Sequence, residues 1–266
     1  MAGSIDRGEP LNLRGRLSEV YWPALVSSDT ESLARRLGER ATLDDPMFGL
    51  TSGTAALAQA LQDIAAWLEK RGATFDSHRL VVGSDREVTE GLLSLTADGK
   101  RTALPVAVVA EKRREREVEL RIYYSTRPFG DAPARRRSVL DNEDVVVPPP
   151  VATHLDALSR ADLAAVVASF ERDATLWAPD GASYGGTHAG QPLSTYFETL
   201  IASSADASGG TTFLRSARAD DGSVCALECT VVRVRGRDVA PYGALAVYER
   251  GESGLLKTAR LYGDIG

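Results

Sequence analysis

The sequence predicts two α+β domains, each an antiparallel sheet packed on helices. The first observation is an internal repeat, because residues 21–46 align without a gap on residues 154–179, at a shift of 133 residues. Both copies of this segment contain the run A-T-L and end in proline. A period this long means two copies of a whole domain, since solenoid repeats are far shorter. The second observation is the order within each copy, helices followed by a run of strands, which is typical of α+β domains.

Periodicity and turn residues predict the elements of the first copy. Apolar residues that recur at threes and fours indicate helices, and short runs between turn residues indicate strands. Pro23 lies inside the first helix and predicts either a bend or a later start, near Val20. Asp29 is an N-cap residue for the second helix. The predicted helices are 13–25, 30–38 and 54–72, and the predicted strands are 41–45, 74–82, 87–96, 102–111 and 115–125.

The second copy repeats this plan after a predicted linker, 128–149, that breaks every periodicity. A solvated charge run is the simpler interpretation of the three arginines in this linker, and a docking surface is the alternative. The predicted domains are 13–127 and 150–266, preceded by a disordered tail, 1–12, and residues 178–186 are predicted to be a loop. The predicted helices are 151–158, 161–170 and 193–203, and the predicted strands are 174–177, 211–219, 223–235, 239–249 and 255–262.

Composition excludes several classes of protein. With 43% hydrophobic and 26% charged residues, the 266-residue chain is typical of a soluble globular protein of two domains. A formal charge of -6 argues against nucleic acid or an anionic membrane as partner. The N-terminus lacks the apolar core of a signal peptide, and no run approaches the ~20 apolar residues of a membrane span. We therefore expect a cytoplasmic protein.

Motifs for cofactors are missing from the sequence. Cys225 and Cys229 stand four apart in a predicted strand, about 13 Å from each other, which is too far for a disulfide. A C-x3-C pair with no nearby His or Asp is a poor metal motif, so apolar packing is the favoured interpretation. No phosphate-binding glycine loop or nucleophile elbow is present. We expect no cofactor and no metal, and a small molecule or another protein as partner.

Residues 21–46, together with strands that end in RIYYS and RLYGD, resemble the nuclear transport factor 2 family. This resemblance implies a cone-shaped, cystatin-like α+β fold for each copy, with an intramolecular pseudo-dimer or a homodimer as the assembly. Members include ketosteroid isomerases and SnoaL-like polyketide cyclases. Tyr21 and Asp45 stand 24 residues apart, which is the spacing of a helical tyrosine and the catalytic aspartate in ketosteroid isomerases. The segment A-T-L-D-D-P is similar to the A-T-V-E-D-P of those enzymes.

The resemblance implies a cofactor-independent isomerase or cyclase that acts on a small hydrophobic carbonyl compound, steroid- or polyketide-like, in the first domain. Asp45 would be the base, because apolar walls at the mouth of the cone raise a carboxyl pKa. The alternative is that Asp45, or its neighbour Asp44, caps the following turn. Tyr21 would donate its hydroxyl to the substrate oxygen. The alternative for Tyr21 is a core residue whose hydroxyl meets a neighbour.

Several departures from the family bear on this hypothesis. Pro105 stands in ALPV where those isomerases have a second donor, an aspartic acid in A-L-D-V. In the second copy Ala178 occupies the base position and His154 the tyrosine position, with Trp177 beside Ala178. Asp180 could replace the base, although APDG is an ordinary turn sequence. We therefore expect chemistry in the first copy, and His154 to matter for stability.

Other residues are candidates for catalysis or binding. Glu90 and Glu228 occupy equivalent places in two long strands, where each faces either the cavity or the solvent side of the sheet. Glu90 with Asp45 would supply the paired carboxylates of epoxide-opening members of the fold. A non-catalytic ligand-binding or dimerisation module is the alternative that the altered second copy favours. The predicted ligand-binding residues are Trp22, Phe48, His78, Tyr123, His154, Trp177, Glu228 and Tyr262.

Overall fold

A computed structural model describes residues 17–97, 99–114, 117–129, 145–186, 191–202, 212–234 and 237–263. The predicted tail and residues 130–144 of the predicted linker lie outside the described residues. The chain divides into two compact units, Met1–Tyr123 and Tyr124–Gly266. In the described ranges no helix is long and apolar enough to cross a membrane.

The first unit combines helices with a six-stranded sheet. Asp29 accepts a hydrogen bond from the amide of Ser32 and so caps the second helix, as its sequence position predicts. Pro23 lies inside the first helix, which already includes Leu17, so the later start expected from the proline is wrong. The helices are α1 (Leu17–Val26), α2 (Thr30–Leu37) and α3 (Thr54–Glu69), and the strands are β1 (Thr42–Asp45), β2 (Gly49–Ser52), β3 (Thr74–Val82), β4 (Arg86–Ala97), β5 (Lys100–Arg114) and β6 (Glu117–Tyr123).

The second unit has the same plan. Its helices are α4 (Pro149–Ser159), α5 (Leu163–Ala168) and α6 (Leu193–Ala202). Its strands are β7 (Phe170–Trp177), β8 (Ser183–Gly185), β9 (Thr212–Asp220), β10 (Val224–Val234), β11 (Arg237–Arg250) and β12 (Leu256–Tyr262). The two sheets have corresponding strand orders, β2-β1-β6-β5-β4-β3 and β8-β7-β12-β11-β10-β9. The predicted fold class, two α+β units that each pack a sheet on helices, is confirmed.

Each sheet contains one parallel pair, which the sequence did not predict. β1 lies parallel to β6, and β7 lies parallel to β12, while the other neighbouring strands are antiparallel. A parallel pair needs a long crossover connection, and here the connection includes the long helix and the antiparallel strands. β8 lies in the predicted loop 178–186, and β2 was not among the predicted strands. They are too short to show a periodicity, and their pairing with β1 and β7 makes them strands.

The second unit also differs from prediction where α5 meets β7. The predicted helix ran to Phe170, whereas α5 ends at Ala168 and β7 begins at Phe170. The hydroxyl of Ser169 donates to the carbonyl of Val166 at 2.6 Å and closes the helix. Serine competes in this way for helical carbonyl groups, which explains the early end.

Hydrogen bonds and strand register show which side of the first sheet faces the helices. The Ser18 hydroxyl of α1 lies 2.7 Å from that of Thr89, and its amide donates to Glu87 at 2.7 Å. Glu87 and Thr89 of β4 therefore face the helices. The strand register through β5 and β6 places Leu43 of β1 on the same side of the sheet. Asp45 follows two residues later and faces the helices too, because side chains alternate along a strand.

Candidate functional site

Asp45 is buried at the end of β1, with 1% of its surface exposed. Its Oδ1 accepts hydrogen bonds from the amides of Met47 at 2.8 Å and Phe48 at 3.1 Å. Amide donors favour the charged carboxylate, whereas burial disfavours it, so the two effects oppose each other. One oxygen of Asp45 thus holds the turn into β2, which is the capping role considered as the alternative to catalysis.

Tyr21 and Trp22 are part of the packed interior beside α1. Tyr21 is fully buried and meets the ring of Trp22 edge-on, with centroids 5.1 Å apart. Trp22 in turn lies 6.3 Å from the ring of Phe75 on β3. The Phe75 ring occupies the space that a side chain at Gly91 would fill. Tyr21 and Asp45 are therefore both buried on the helix side of the first sheet, among aromatic side chains.

Glu90 lies on the other side of this sheet. It stands one residue after Thr89, so it points away from the helices while Asp45 points toward them. The two carboxylates cannot flank one substrate, which excludes the paired-carboxylate arrangement that the sequence allowed. Glu228 occupies the equivalent place in β10, and Tyr123 and Tyr262 lie two strands away from Glu90 and Glu228 on the same sides.

These four residues are buried, with at most 3% of their surface exposed. The expectation that Glu90 and Glu228 face either the cavity or solvent is wrong for both, because each faces away from the helices and is nevertheless buried. Tyr123 and Tyr262 likewise point away from the helix side, where a ligand was expected.

Buried charges on this helix-distal side of the first sheet are paired. One carboxylate oxygen of Glu111 on β5 lies 3.1 Å from a guanidinium nitrogen of Arg86, and the other lies 2.5 Å from a guanidinium nitrogen of Arg121. Arg121 also lies 3.2 Å from Glu119, which pairs with Arg113 at 2.8 Å. Buried ions are tolerated when they are paired, so this network has a structural explanation and needs no ligand.

Three further candidate residues lie at or near the surface. His78 is exposed at a bulge in β3, and Trp177 is 44% exposed. Phe48 is partly buried, with its ring edge-on to Trp67 at 6.4 Å. Asp180 is exposed, and its Oδ1 accepts from the amide of Ala182 at 3.0 Å. This bond agrees with the turn interpretation of Asp180. Neither Asp180 nor the three candidate residues His78, Trp177 and Phe48 have the setting of a buried site.

A cavity of about 40 Å³ lies in the second unit, between α4, α6 and the helix side of the sheet. Most of its lining is aliphatic or aromatic, and its polar members are His154, Tyr196, Cys229 and Tyr248. None of the described lining residues is Asp, Glu, Lys or Arg. Tyr196 and Leu200 of α6 are partly exposed, which places the mouth of the cavity beside this helix. Trp177 is not part of the lining.

His154 lies at the centre of an aromatic cluster beside this cavity. Its ring is 4.9 Å from Phe170, 5.5 Å from Phe197 and 5.5 Å from Tyr248, in edge-to-face contacts. Its Nδ1 lies 3.0 Å from the hydroxyl oxygen of Ser169. Burial lowers the pKa of His154 to about 3, because a charged imidazolium would lose its hydration. His154 is therefore neutral at physiological pH.

The other polar groups around the cavity are neutral as well. Burial raises the pKa of the Tyr196 and Tyr248 hydroxyls above their usual value. Burial also raises the pKa of the Cys225 thiol, in the same core, to about 12. Within the described part of the chain, no group of three or more His, Cys, Asp or Glu side chains could hold a metal ion. The described lining of the cavity thus offers dipoles and apolar surface, without charge.

Sequence reasoning named His154 as a binding residue but missed its aromatic neighbours. Tyr196 and Phe197 are adjacent in the predicted sixth helix, so one aromatic pair in an apolar helix was the available signal. Tyr248 lies on β11, where it faces the helix side together with Cys225. Only the pairing of distant strands brings these residues to one place.

Comparisons with known proteins address the fold. No protein-family model and no curated protein matches the sequence. Among solved structures, a nuclear transport factor 2-like protein of unknown function from Cytophaga hutchinsonii is 17% identical, with a TM-score of 0.35 over 46% of this chain and 98% of the other. A putative polyketide cyclase from Sinorhizobium meliloti is 17% identical, with a TM-score of 0.32 over 40% of this chain and 92% of the other.

A third similar structure has a bound small molecule. It is a hypothetical protein from Catenulispora acidiphila with a ketosteroid isomerase-like fold, in complex with trimethylamine. It is 15% identical, with a TM-score of 0.34 over 44% of this chain and 88% of the other. The names of these structures are those of the family that the sequence resembles, and identities this low bear on the fold alone.

Proposed function

We propose that the second unit binds a small, uncharged and mainly apolar molecule without chemically changing it. The observation that carries this proposal is the cavity of about 40 Å³, whose described lining residues include no charged side chain. Binding sites for small molecules are concave and mostly apolar, with a few polar groups that orient the ligand. The cavity is smaller than the ~150 Å³ that encloses benzene in an engineered core, so a ligand of one ring would project into the mouth beside α6, and a four-ring steroid is too large.

The described residues that line this cavity include no carboxylate that could act as a base. Ala178 occupies the position of Asp45, and its amide donates to the carbonyl of Ala182 at 2.8 Å as part of a turn. His154 is a weak base, because burial lowers its pKa to about 3. A general base works best with a pKa near the operating pH. These features support binding rather than catalysis.

Binding of toluene to the full chain tests this function. We expect saturable binding, measured by isothermal titration calorimetry, because toluene matches an apolar cavity. In Ala246→Phe a large ring fills the cavity from β11, and binding should be lost. The matched control is Ala56→Phe, at an exposed position of α3 in the first unit, which should bind toluene like the unmodified chain. Equal binding by Ala246→Phe would place the toluene elsewhere.

The second candidate function is a cofactor-independent isomerase or cyclase in the first unit, acting on a small hydrophobic carbonyl compound. The observation that favours it is the burial of both Tyr21 and Asp45 on the helix side of one sheet. Asp45 would take a proton beside the carbonyl group, and Tyr21 would donate a hydrogen bond to its oxygen. The two amides on Oδ1 of Asp45 oppose this role, because they favour the anion.

Turnover of a β,γ-unsaturated ketosteroid tests this second candidate, since the conjugated product absorbs in the ultraviolet. If the enzyme hypothesis holds, Asp45→Asn abolishes turnover and His154→Leu retains it. Carbon-13 titration of the Asp45 carboxyl gives a separate measure. A pKa at or below about 3.9, the value of an ordinary aspartate, would leave the first unit without a base.

A further inference from the structure

We infer that the ligand of the second unit carries a hydroxyl or N–H group and donates its hydrogen to Nε2 of His154. This inference rests on the proposed function, since it specifies the molecule that the same cavity binds. It narrows the ligand from any small apolar compound to one with a single hydrogen-bond donor on an apolar frame.

The hydrogen bonds of Ser169 assign the tautomer of His154. A serine hydroxyl has one hydrogen, and that of Ser169 is directed at the carbonyl oxygen of Val166, 2.6 Å away. Toward Nδ1 of His154, at 3.0 Å, the Ser169 oxygen can then act only as an acceptor. Nδ1 must therefore carry the hydrogen. A neutral imidazole has one N–H, so Nε2 is left with a lone pair.

The Nδ1 edge of His154 is turned to Ser169 and the ring lines the cavity, so we take Nε2 to be the atom that a ligand reaches. The contact with Ser169 is the one hydrogen bond of this side chain within the described ranges, and it holds the Nδ1 edge of the ring. Aromatic rings pack around the imidazole, which also lines the cavity. Protonation of Nε2 is suppressed, because burial lowers the pKa of His154 to about 3.

An acceptor in an apolar cavity selects for a donor. A ligand that displaces water from Nε2 and offers no hydrogen leaves this nitrogen unsatisfied, which is unfavourable in an apolar environment. A ligand with one hydroxyl restores the bond while its remaining surface packs against the aliphatic and aromatic lining. An anion gains nothing from the described lining, which includes no basic side chain.

Phenol and toluene form a matched pair of probes, because they differ only in a hydroxyl in place of a methyl group. Calorimetric titration of the full chain should show phenol binding roughly fivefold more tightly, the effect of one net hydrogen bond. His154→Leu should remove this preference, whereas Ser159→Ala should keep it. Ser159 is the matched control, an exposed serine at the end of α4 whose hydroxyl also donates to a backbone carbonyl.

The affinities for phenol and toluene test the hydrogen bond to His154 separately from the binding function. Equal affinities for phenol and toluene in the unmodified chain would overturn the inference and leave the binding function intact. Retention of the phenol preference in His154→Leu would also overturn it. Failure of both probes to bind would overturn the proposed function and the inference together.

Nitrogen-15 spectra of the imidazole give a readout that requires no variant. We expect a protonated Nδ1 and an unprotonated Nε2, and the Nε2 signal should shift on addition of phenol but not of toluene. Ser169→Ala removes the acceptor for the Nδ1 hydrogen, so it should mix the two tautomers and weaken the phenol preference. A ring protonated at Nε2 in the unmodified chain contradicts the inference, even if His154→Leu does not fold.

Discussion

Two buried carboxylates of the first unit, Asp45 and Glu87, each accept hydrogen bonds from backbone amides. Glu87 receives the amide of Ser18, in the first turn of α1, at 2.7 Å. The first amides of a helix have no partner within the helix, so this bond satisfies one of them from a distant strand. Asp45 does the same for the turn after β1. These two acidic residues on the helix side of the first sheet thus stabilise backbone amides, which explains their burial without a substrate.

Removal of the Glu87 carboxylate should therefore destabilise the first unit. In Glu87→Leu the Ser18 amide loses its buried acceptor, and we expect a loss of about 1–3 kcal/mol in the free energy of unfolding, measured in urea. Glu87→Gln keeps an acceptor oxygen and should lose less. Glu31→Leu, an exposed change in the first turn of α2, serves as the control. Equal stability of Glu87→Leu and the control would show that the bond contributes nothing.

A similar comparison applies to Asp45. Asp45→Asn keeps an oxygen for the amides of Met47 and Phe48, whereas Asp45→Ala removes both bonds. We expect Asp45→Ala to lower the free energy of unfolding by about 1–2 kcal/mol more than Asp45→Asn does. Urea unfolding of the two variants measures this difference. Equal losses would mean that the turn does not depend on the carboxylate.

His154 should make the stability of the second unit depend on pH. Its pKa is lowered to about 3 in the folded chain, whereas an unfolded histidine has a pKa of about 6.5. Between these values the unfolded state binds more protons, so stability is full above about pH 6.5 and falls as the pH drops toward 3. The shift corresponds to about 5 kcal/mol in all. His154→Leu should lose this part of the pH dependence, and an unchanged profile would refute the burial of a neutral imidazole.

The strands β3 and β4 approach each other closely at one glycine of β4. Gly91 pairs with Ser77, and the ring of Phe75 and the carbonyl of Asp76 fill the space above its α-carbon. A close approach of this kind is a recognised reason for glycine inside a strand. The Phe75 ring reaches Trp22 of α1, so this fit also connects the sheet edge to the first helix.

Gly91→Ala should consequently destabilise the chain. The added methyl group overlaps the Phe75 ring and the Asp76 carbonyl, and overpacking of this kind costs about 1–3 kcal/mol. Phe75→Leu frees part of the space, so the double variant should lose less than the sum of the single losses. A double-mutant cycle in urea measures this coupling. Strict additivity would contradict the contact between the two residues.

At the scale of the whole molecule, the two units share a topology but differ in their chemistry. Sheets of corresponding strand order carry Asp45 in the first unit and Ala178 at the matching place in the second. Beside His154 lies a cavity whose described lining is uncharged, whereas the helix side of the first sheet buries the carboxylates of Asp45 and Glu87. The duplication therefore kept the fold while the interior of each copy changed.

Ligand binding should therefore slow amide hydrogen exchange in the second unit and leave the first unit largely unchanged. Saturation with phenol should slow hydrogen exchange of the amides in α4, α6 and β11, because a ligand stabilises the state that binds it. Amides of α1 and β4 in the first unit should change little. Mass spectrometry of peptides after exchange gives this comparison. Protection confined to the first unit would contradict the location of the binding site.

The repeat, the helices and most of the strands could be predicted from the sequence, because each leaves a local signal. Identical residues at a constant shift indicate a second copy, and an N-cap such as Asp29 acts within its own turn. The turn interpretations of Asp45 and Asp180 also depend on amides two or three residues away. Contacts of this range can be read from composition and spacing.

Which side of a sheet each residue faces, and what surrounds it, became clear only from the folded chain. β4 is buried along most of its length on both sides, so no alternation in its sequence shows that Glu87 faces the helices and Glu90 faces away. A change of one residue in register exchanges the two sides. The neutral state of His154 has the same origin, since it comes from desolvation by Phe197 and Tyr248, which are distant in sequence and close only in the fold.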